Sequence, residues 1–350
     1  MQELSDADLA RVRRLLLTFY QRHRRDLPWR RTHDGYQIWV SEIMLQQTQV
    51  DTVVPRYARF LQIFPNVQAL AEAPVEAVCE AWAGLGYYRR ARHLHAAARV
   101  LVEEHGGILP TSVEALRRLP GIGAYTAGAI ASIAYGVCAP LVDGNVARVI
   151  ARLCALELEV DAPAGRRFVW QVAGRLVVGK DPGNLNQALM ELGATVCVPM
   201  RPRCDACCVA RFCAARKTGE PERLPRLRPK AARVALRVAY AFCWGSQGLW
   251  LARRPLTGLW AGLWEPPSQI GRGAKARLSE ALQTTLGPPL ATLRHDLTHR
   301  RVTAVLYAAQ GAQMHPGPDL QEYAHPLQAP LSALARKAVL AFARCSGGRG

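Results

Sequence analysis

Apolar residues recur at three- and four-residue intervals through most of the first 195 positions. The runs ADLARVRRLLLTFYQRH, VEAVCEAWAGLGYYRRARHLHAAARVLVEEH, SVEALRRL and AYTAGAIASIAYG each carry such a stripe, broken at Pro and Gly. The spacing predicts an all-helical region over residues 1–215. KTGEPERLPRLRPKAAR then brings Pro and charge without apolar periodicity, which reads as a linker over 216–232. Beyond it the period changes. VALRVAYAFCW, GLWLARRP and RVTAVLYAAQ are short β-favouring runs bounded by Gly and Pro, with helical patterns at 273–286 and 331–343, so 233–345 reads as a separate α+β domain.

Composition narrows the function classes. The chain has 350 residues, half of them hydrophobic, enough for two or three ordinary cores. It holds no apolar run of about 18 residues, and its first 25 positions interleave charge, so a membrane protein and a signal peptide are not expected. An intracellular, cytoplasmic location follows as the expectation, nucleoid-associated in a bacterium. Net charge is +18, shared as +7 over residues 1–219 and +11 over 220–350. Such a balance favours a polyanionic partner through counterion release, nucleic acid ahead of acidic lipid. Only five of 45 basic residues are lysine, and none precedes Lys180.

Five of ten cysteines fall in CVPMRPRCDACCVARFC, residues 197–213. Disulfides are disfavoured inside a reducing cell. Cys197, Cys204, Cys207 and Cys213 give C-x6-C-x2-C-x5-C. Structural zinc draws more often on two separated pairs, so one compact loop of four thiolates favours an iron–sulfur cluster over zinc. Upstream, LPGIGAYTAGAI places Gly121 and Gly123 in a tight turn, where bare backbone N–H groups can grip a phosphate without reading sequence, although an ordinary helix–helix turn has the same look.

Two carboxylates stand out. Glu42 lies in IWVSEIMLQQTQV among apolar neighbours, where desolvation would raise its pKa and let it hold a proton at neutral pH. Asp143 in LVDGNVARVIARL precedes a helical run and reads equally as a helix N-cap. Together they suit cleavage of a base–sugar bond: an acid protonates the leaving base, and an ionised carboxylate stabilises the oxocarbenium-like sugar.

These motifs resemble the endonuclease III and MutY-type adenine DNA glycosylases. The cysteine spacing is similar to the family's [4Fe–4S] loop, with Cys208 as the extra residue, and residues 117–130 look like its helix-hairpin-helix. The resemblance implies a multidomain fold: an all-α helix-hairpin-helix glycosylase domain with one [4Fe–4S] cluster, then an α+β Nudix-like domain. It implies that Glu42 protonates adenine at N7, that Asp143 steadies the sugar cation, directly or through a transient covalent bond, and that Asn145 orients Asp143. Tyr125 stands where endonuclease III-like enzymes carry the lysine that forms a Schiff base and nicks the strand. With no lysine in the first 179 residues, a monofunctional glycosylase is implied. Trp29, Arg30, Leu45, Tyr125 and Gln187 are implied for the adenine pocket, and Gln47 and Tyr87 for entering the base stack. By their own chemistry Tyr87 and Tyr88 fit core aromatics equally well.

In the tail, AKARLSEALQTTLG offers only Glu280 where a working pyrophosphohydrolase needs an acidic metal box, so hydrolysis there is not expected. HDLTHRR puts Leu297, Thr298 and His299 where the family reads 8-oxoguanine. Thr298 keeps a hydroxyl, Leu297 lacks an aromatic ring, and His299 beside Arg300 and Arg301 suits a phosphate contact as well. The implied partner is duplex DNA carrying an A·8-oxoguanine or A·G mispair, bound by a monomer. The rivals are another mismatch glycosylase of the superfamily, such as a thymine-mismatch enzyme that would normally lack the tail, and a non-catalytic iron–sulfur DNA-binding protein.

Overall fold

A computed structural model of the chain describes residues 4–229, 232–312 and 314–345. It divides into two units: residues to Ala81 together with Arg90–Pro229, and Trp82–Arg89 together with residues from Lys230 on.

Helices Asp6–His23, Gly35–Leu45, Val50–Ile63, Ala124–Tyr135, Gly144–Leu153, Pro163–Val177 and Pro182–Thr195 build the first unit. Their ends follow from local chemistry. Ser5 accepts the Asp8 N–H at 3.1 Å, with Asp6 and Asp8 in the first turn and Arg22 and His23 in the last, matching the helix dipole. Asp34 accepts two N–H groups, from Tyr36 and Gln37, to start the helix that carries Glu42. Asp181 accepts one N–H group, from Asn184 at 3.3 Å, to start the helix Pro182–Thr195, which has proline in its first turn. Leu9, Val12 and Leu16 share one core with Val149, Ile150 and Leu189. Each such side chain contributes on the order of 2 kcal/mol when fully buried.

The second unit holds a four-stranded sheet, β4-β1-β6-β5, and a three-stranded sheet, β3-β2-β7. These strands are β1 Val234–Phe242, β2 Leu249–Arg253, β3 Trp264–Glu265, β4 Ser268–Ile270, β5 Leu286–Asp296, β6 Arg300–Ala309 and β7 Leu320–Tyr323. β1 runs parallel to β6, while β5 is antiparallel to β6. Leu334, Ala335 and Ala338 of the helix Ala333–Cys345 pack into the core with Val238, Tyr240 and Leu306.

Three boundaries differ from the sequence pattern. The helix expected over 273–286 ends at Ala281, where Gln283 turns to a φ of 47° and β5 begins at Leu286. β5 itself was hidden by Pro288 and Pro289, which a central strand would not tolerate. It lies at the sheet edge and shifts register around Pro289, which accommodates the missing N–H groups. The stretch read as a linker packs on the helical unit as far as Arg228: Arg226 accepts the Val160 N–H at 3.0 Å, and the Arg228 N–H reaches Asp161 at 3.0 Å. Buried Leu224 supplies a carbonyl that the buried Arg152 guanidinium needs. Residues 230 and 231 of that stretch lie outside the described residues. Among the described residues no helix is long and apolar enough to cross a membrane.

Candidate active site

The helix Gly35–Leu45 is buried over Tyr36 and Ile38–Met44, and Glu42 on it is 4% exposed. Tyr125, near the start of the helix Ala124–Tyr135, donates its hydroxyl to Glu42 Oε2 at 2.6 Å. Burial pushes the Glu42 carboxyl up to about 7; the nearby Asp143 charge adds to the rise, while the Tyr125 bond and the Arg30 charge oppose it. Burial and the neighbouring acids hold the Tyr125 phenol well above its ordinary value, so it remains a donor.

Asp143 is a helix N-cap and a neighbour of Glu42 at once. It accepts the Val146 N–H at 2.7 Å and the Asn145 side-chain amide at 2.9 Å. Burial raises its pKa, and these bonds with the Arg148 charge pull it back. Asp143 sits in the field of a helix N-terminus with two donors, whereas Glu42 has one phenol; that asymmetry favours ionising Asp143 first. Behind them, Arg148 Nη2 donates to Asn145 Oδ1 at 2.7 Å and to the Gly193 carbonyl at 2.8 Å, and its Nε donates to the Cys197 carbonyl at 2.8 Å. A Cβ on Gly193 would stand 2.6 Å from that of Asn145, so the absence of a side chain there lets the two helices meet.

The residues implied for the adenine pocket fall on four elements: Pro28–Arg30 and the helices Gly35–Leu45, Ala124–Tyr135 and Pro182–Thr195. Trp29 is buried edge-on to Tyr57, with ring centroids 5.4 Å apart. Leu45, half-buried, ends the helix of Glu42. Arg30 donates to Glu191 Oε2 at 2.7 Å, and Gln187 accepts the Tyr20 hydroxyl at 2.8 Å. The helix Pro182–Thr195 also reaches Tyr125, whose hydroxyl lies 3.5 Å from Met190 Sδ.

Sequence reasoning missed Glu191, Arg25, Tyr20 and Arg90. Glu191 is fully buried and takes a forked pair of bonds from Arg25 at 2.9 Å each, besides the Arg25 backbone N–H and Arg30. Burial alone would raise its pKa; those donors outweigh it and hold it down at about 2. A spacing of four from Gln187 on one helix was the available signal. Arg90 donates to the carbonyls of Ile43, Met44 and Gln46 and to Thr48 Oγ1, closing the open end of the helix that carries Glu42.

Gln47 follows, exposed, with a φ of 58°. Gly121 has a φ of 77°, and a Cβ there would meet His93 at 2.6 Å, as a glycine-dependent turn requires. Gly123 has an extended backbone and is the N-cap of the helix Ala124–Tyr135, so the helix start that follows it carries no side-chain cap. The two tyrosines separate: Tyr88 is buried and Tyr87 is 54% exposed. Tyr87 belongs with the second unit, where its hydroxyl lies 3.4 Å from Thr298 Oγ1. Thr298 and His299 are exposed at the tip between β5 and β6, and Leu297 packs inward on that unit's core. Glu280 is an isolated acid on the helix Ala274–Ala281, whereas buried Glu265 is engaged by Tyr240, Ser268 and Arg254.

Cys197, Cys204, Cys207 and Cys213 line one cavity of about 30 Å³, and Cys208 is not among its lining residues. Arg152 anchors the loop through the carbonyls of Cys197, Val198 and Pro199 and lies 3.4 Å from Cys197 Sγ. Four thiols around one space, with a cation beside one of them, are the donor set that a thiolate-bound cluster needs. Among the described residues, no three His, Cys, Asp or Glu side chains converge as ligands of a single metal ion.

Residues 40–166 match the HhH-GPD superfamily of base excision DNA repair proteins, and residues 238–341 match a NUDIX domain. An adenine DNA glycosylase of Homo sapiens is 42% identical over 370 residues, covering 86% of this chain and 67% of the relative. One from Mycolicibacterium smegmatis is 45% identical over 207 residues, covering 59% of this chain and 70% of the relative. Among solved structures, a thermostable thymine-DNA glycosylase superposes with a TM-score of 0.55 at 29% identity, over 61% of this chain and 98% of that one. A buried acid paired with a capping aspartate, on a helical scaffold followed by a Nudix-like tail, thus occurs in a chain that belongs to the adenine DNA glycosylase family.

Proposed function

We propose that the protein is a monofunctional glycosylase that releases adenine from A·8-oxoguanine and A·G mispairs in duplex DNA. The observation that carries this reading is the Glu42–Tyr125–Asp143 arrangement: a buried carboxyl raised to about 7 and bonded by a phenol, beside an N-capping aspartate. Glu42 gives its proton to N7 of the flipped base, the base leaves with the bonding pair, and ionised Asp143 faces the cation left on the sugar until water adds there and gives up a proton to the Glu42 carboxylate, restoring the acid. Asn145, itself held by Arg148, keeps Asp143 in position.

Tyr125 occupies the position at which a lysine would make the enzyme bifunctional, and its raised phenol pKa suits a donor better than a nucleophile. Gly121 and the uncapped helix start after Gly123 support a grip on DNA phosphate, and exposed Gln47 and Tyr87 support entry into the stack. Exposed Thr298 and His299 support reading of the base opposite adenine, with Leu297 turned to the core and contributing shape alone. One [4Fe–4S] cluster on Cys197, Cys204, Cys207 and Cys213 would tie together the loop behind Arg148 and Arg152. When bound it supplies structural cross-linking, and no proton step needs it.

The test is base release from A·8-oxoguanine, A·G and T·G duplexes, with and without borohydride. Adenine release without an efficient cross-link is expected. Release of thymine alone would overturn the substrate, and trapping as strong as a bifunctional enzyme's would overturn the monofunctional chemistry.

A further inference from the structure

Gln187 ends a chain of side chains whose hydrogen-bond polarity is set at the far end by a carboxylate. Asp181, which caps the helix Pro182–Thr195, accepts the side-chain amide of Asn184 at 3.0 Å. An ionised carboxylate can only accept, so Asn184 must turn its NH2 to Asp181 and leave its Oδ1 free. That oxygen lies 3.5 Å from Gln187 Nε2, which places the Gln187 NH2 on its side. Gln187 Oε1 is thereby directed to the Tyr20 hydroxyl, 2.8 Å away. Tyr20 is 1% exposed, and its ring lies under the Arg30 guanidinium at 5.3 Å, which limits its movement.

We infer that Tyr20 is a specificity-determining positioning residue: with Asn184 it locks the Gln187 amide in one orientation, so that the pocket presents an acceptor and a donor in fixed order to the edge of the flipped purine. The inference rests on the placement of Gln187 in the adenine pocket. A primary amide has two acceptor sites and two donors. With one of each engaged by Tyr20 and Asn184, one acceptor and one N–H remain. Adenine offers an exocyclic N–H donor beside a ring acceptor and satisfies both. Hypoxanthine, with a carbonyl in place of the amine, sets acceptor against acceptor. A site that holds a buried polar group in fixed orientation rejects an analogue that leaves it unpaired more strongly than an apolar pocket rejects a change of size. If the amide were free to turn over, it would serve both bases and select neither.

The experiment compares wild type, Tyr20→Phe and Asn184→Ala, which loosens the other end of the amide. Two readouts are taken for each: single-turnover release of adenine and of hypoxanthine opposite the same base, and equilibrium binding of the two free bases to the holoprotein. The preference for adenine should fall by roughly three- to tenfold in either variant, the size of one neutral hydrogen bond, chiefly through faster release and tighter binding of hypoxanthine. A merely structural role would slow both bases alike and leave the ratio unmoved, which would overturn the inference. Should wild type bind adenine preferentially but release none, the proposed activity fails while the amide lock stands or falls on the binding ratio. Should it show no preference in either readout, the lock fails with it.

Discussion

Two glutamates are buried in the same helical unit and end in opposite protonation states. Glu42 meets one phenol in an otherwise apolar helix face and holds its proton to about pH 7. Glu191, with no exposed surface at all, is met by Arg25 and Arg30 and stays ionised down to about pH 2. Burial is common to both, so it is the partner set that divides them. The division serves both sites: by engaging Arg30, Glu191 places an opposing charge beside the guanidinium whose field would otherwise pull the Glu42 proton off more strongly.

The comparison can be broken at either end. Glu42→Gln removes the proton source while keeping size and hydrogen bonding, and base release should fall by about 10²- to 10⁴-fold in single turnover. Asp143→Asn keeps the cap but removes the charge facing the sugar, with a loss of about 10²- to 10³-fold. Glu191→Gln should act on stability first, costing about 3 kcal/mol in chemical denaturation at pH 7, because it leaves two guanidinium groups without their shared carboxylate.

The pH dependence of stability carries opposite signs. Glu191 has a folded pKa below its unfolded value, so its contribution is fully present above the unfolded value near 4.5 and fades as pH falls toward 2. Wild type and Glu191→Gln should therefore converge in acid. Glu42 has a folded pKa above its unfolded value, so its contribution is fully present below the unfolded value near 4.5 and is lost as pH rises to about 7, and Glu42→Gln should gain on wild type across that interval and then hold a constant difference. The smallest change is expected for Cys208→Ser, which should keep wild-type iron content, whereas Cys207→Ser should lose it, as metal analysis would show.

What the sequence revealed and concealed follows from the range of the interactions. Glu42 announced itself because its apolar neighbours are adjacent in the chain, and the cysteine loop because its four thiols lie within 17 residues. Glu191 and Tyr20 did not, since their partners stand 161 to 167 positions away and only folding brings them together. Tyr20 sits on the same apolar stripe as Leu9, Val12 and Leu16 and looks there like any core aromatic. Asp143 was ambiguous between N-cap and catalytic group, and the structure assigns it the cap while setting it beside Glu42. β5 was concealed because prolines argue against strands in general but not against an edge strand with a shifted register.

The proposed base release requires that Glu42 enter the reaction protonated. Its most direct test is the pH profile of single-turnover adenine release by the intact enzyme on A·8-oxoguanine duplex. Release should fall about tenfold per pH unit above roughly pH 7, as the acid is lost, and Glu42→Gln should be slow at every pH. A profile without a break near pH 7, or a Glu42→Gln enzyme as fast as wild type, would contradict it.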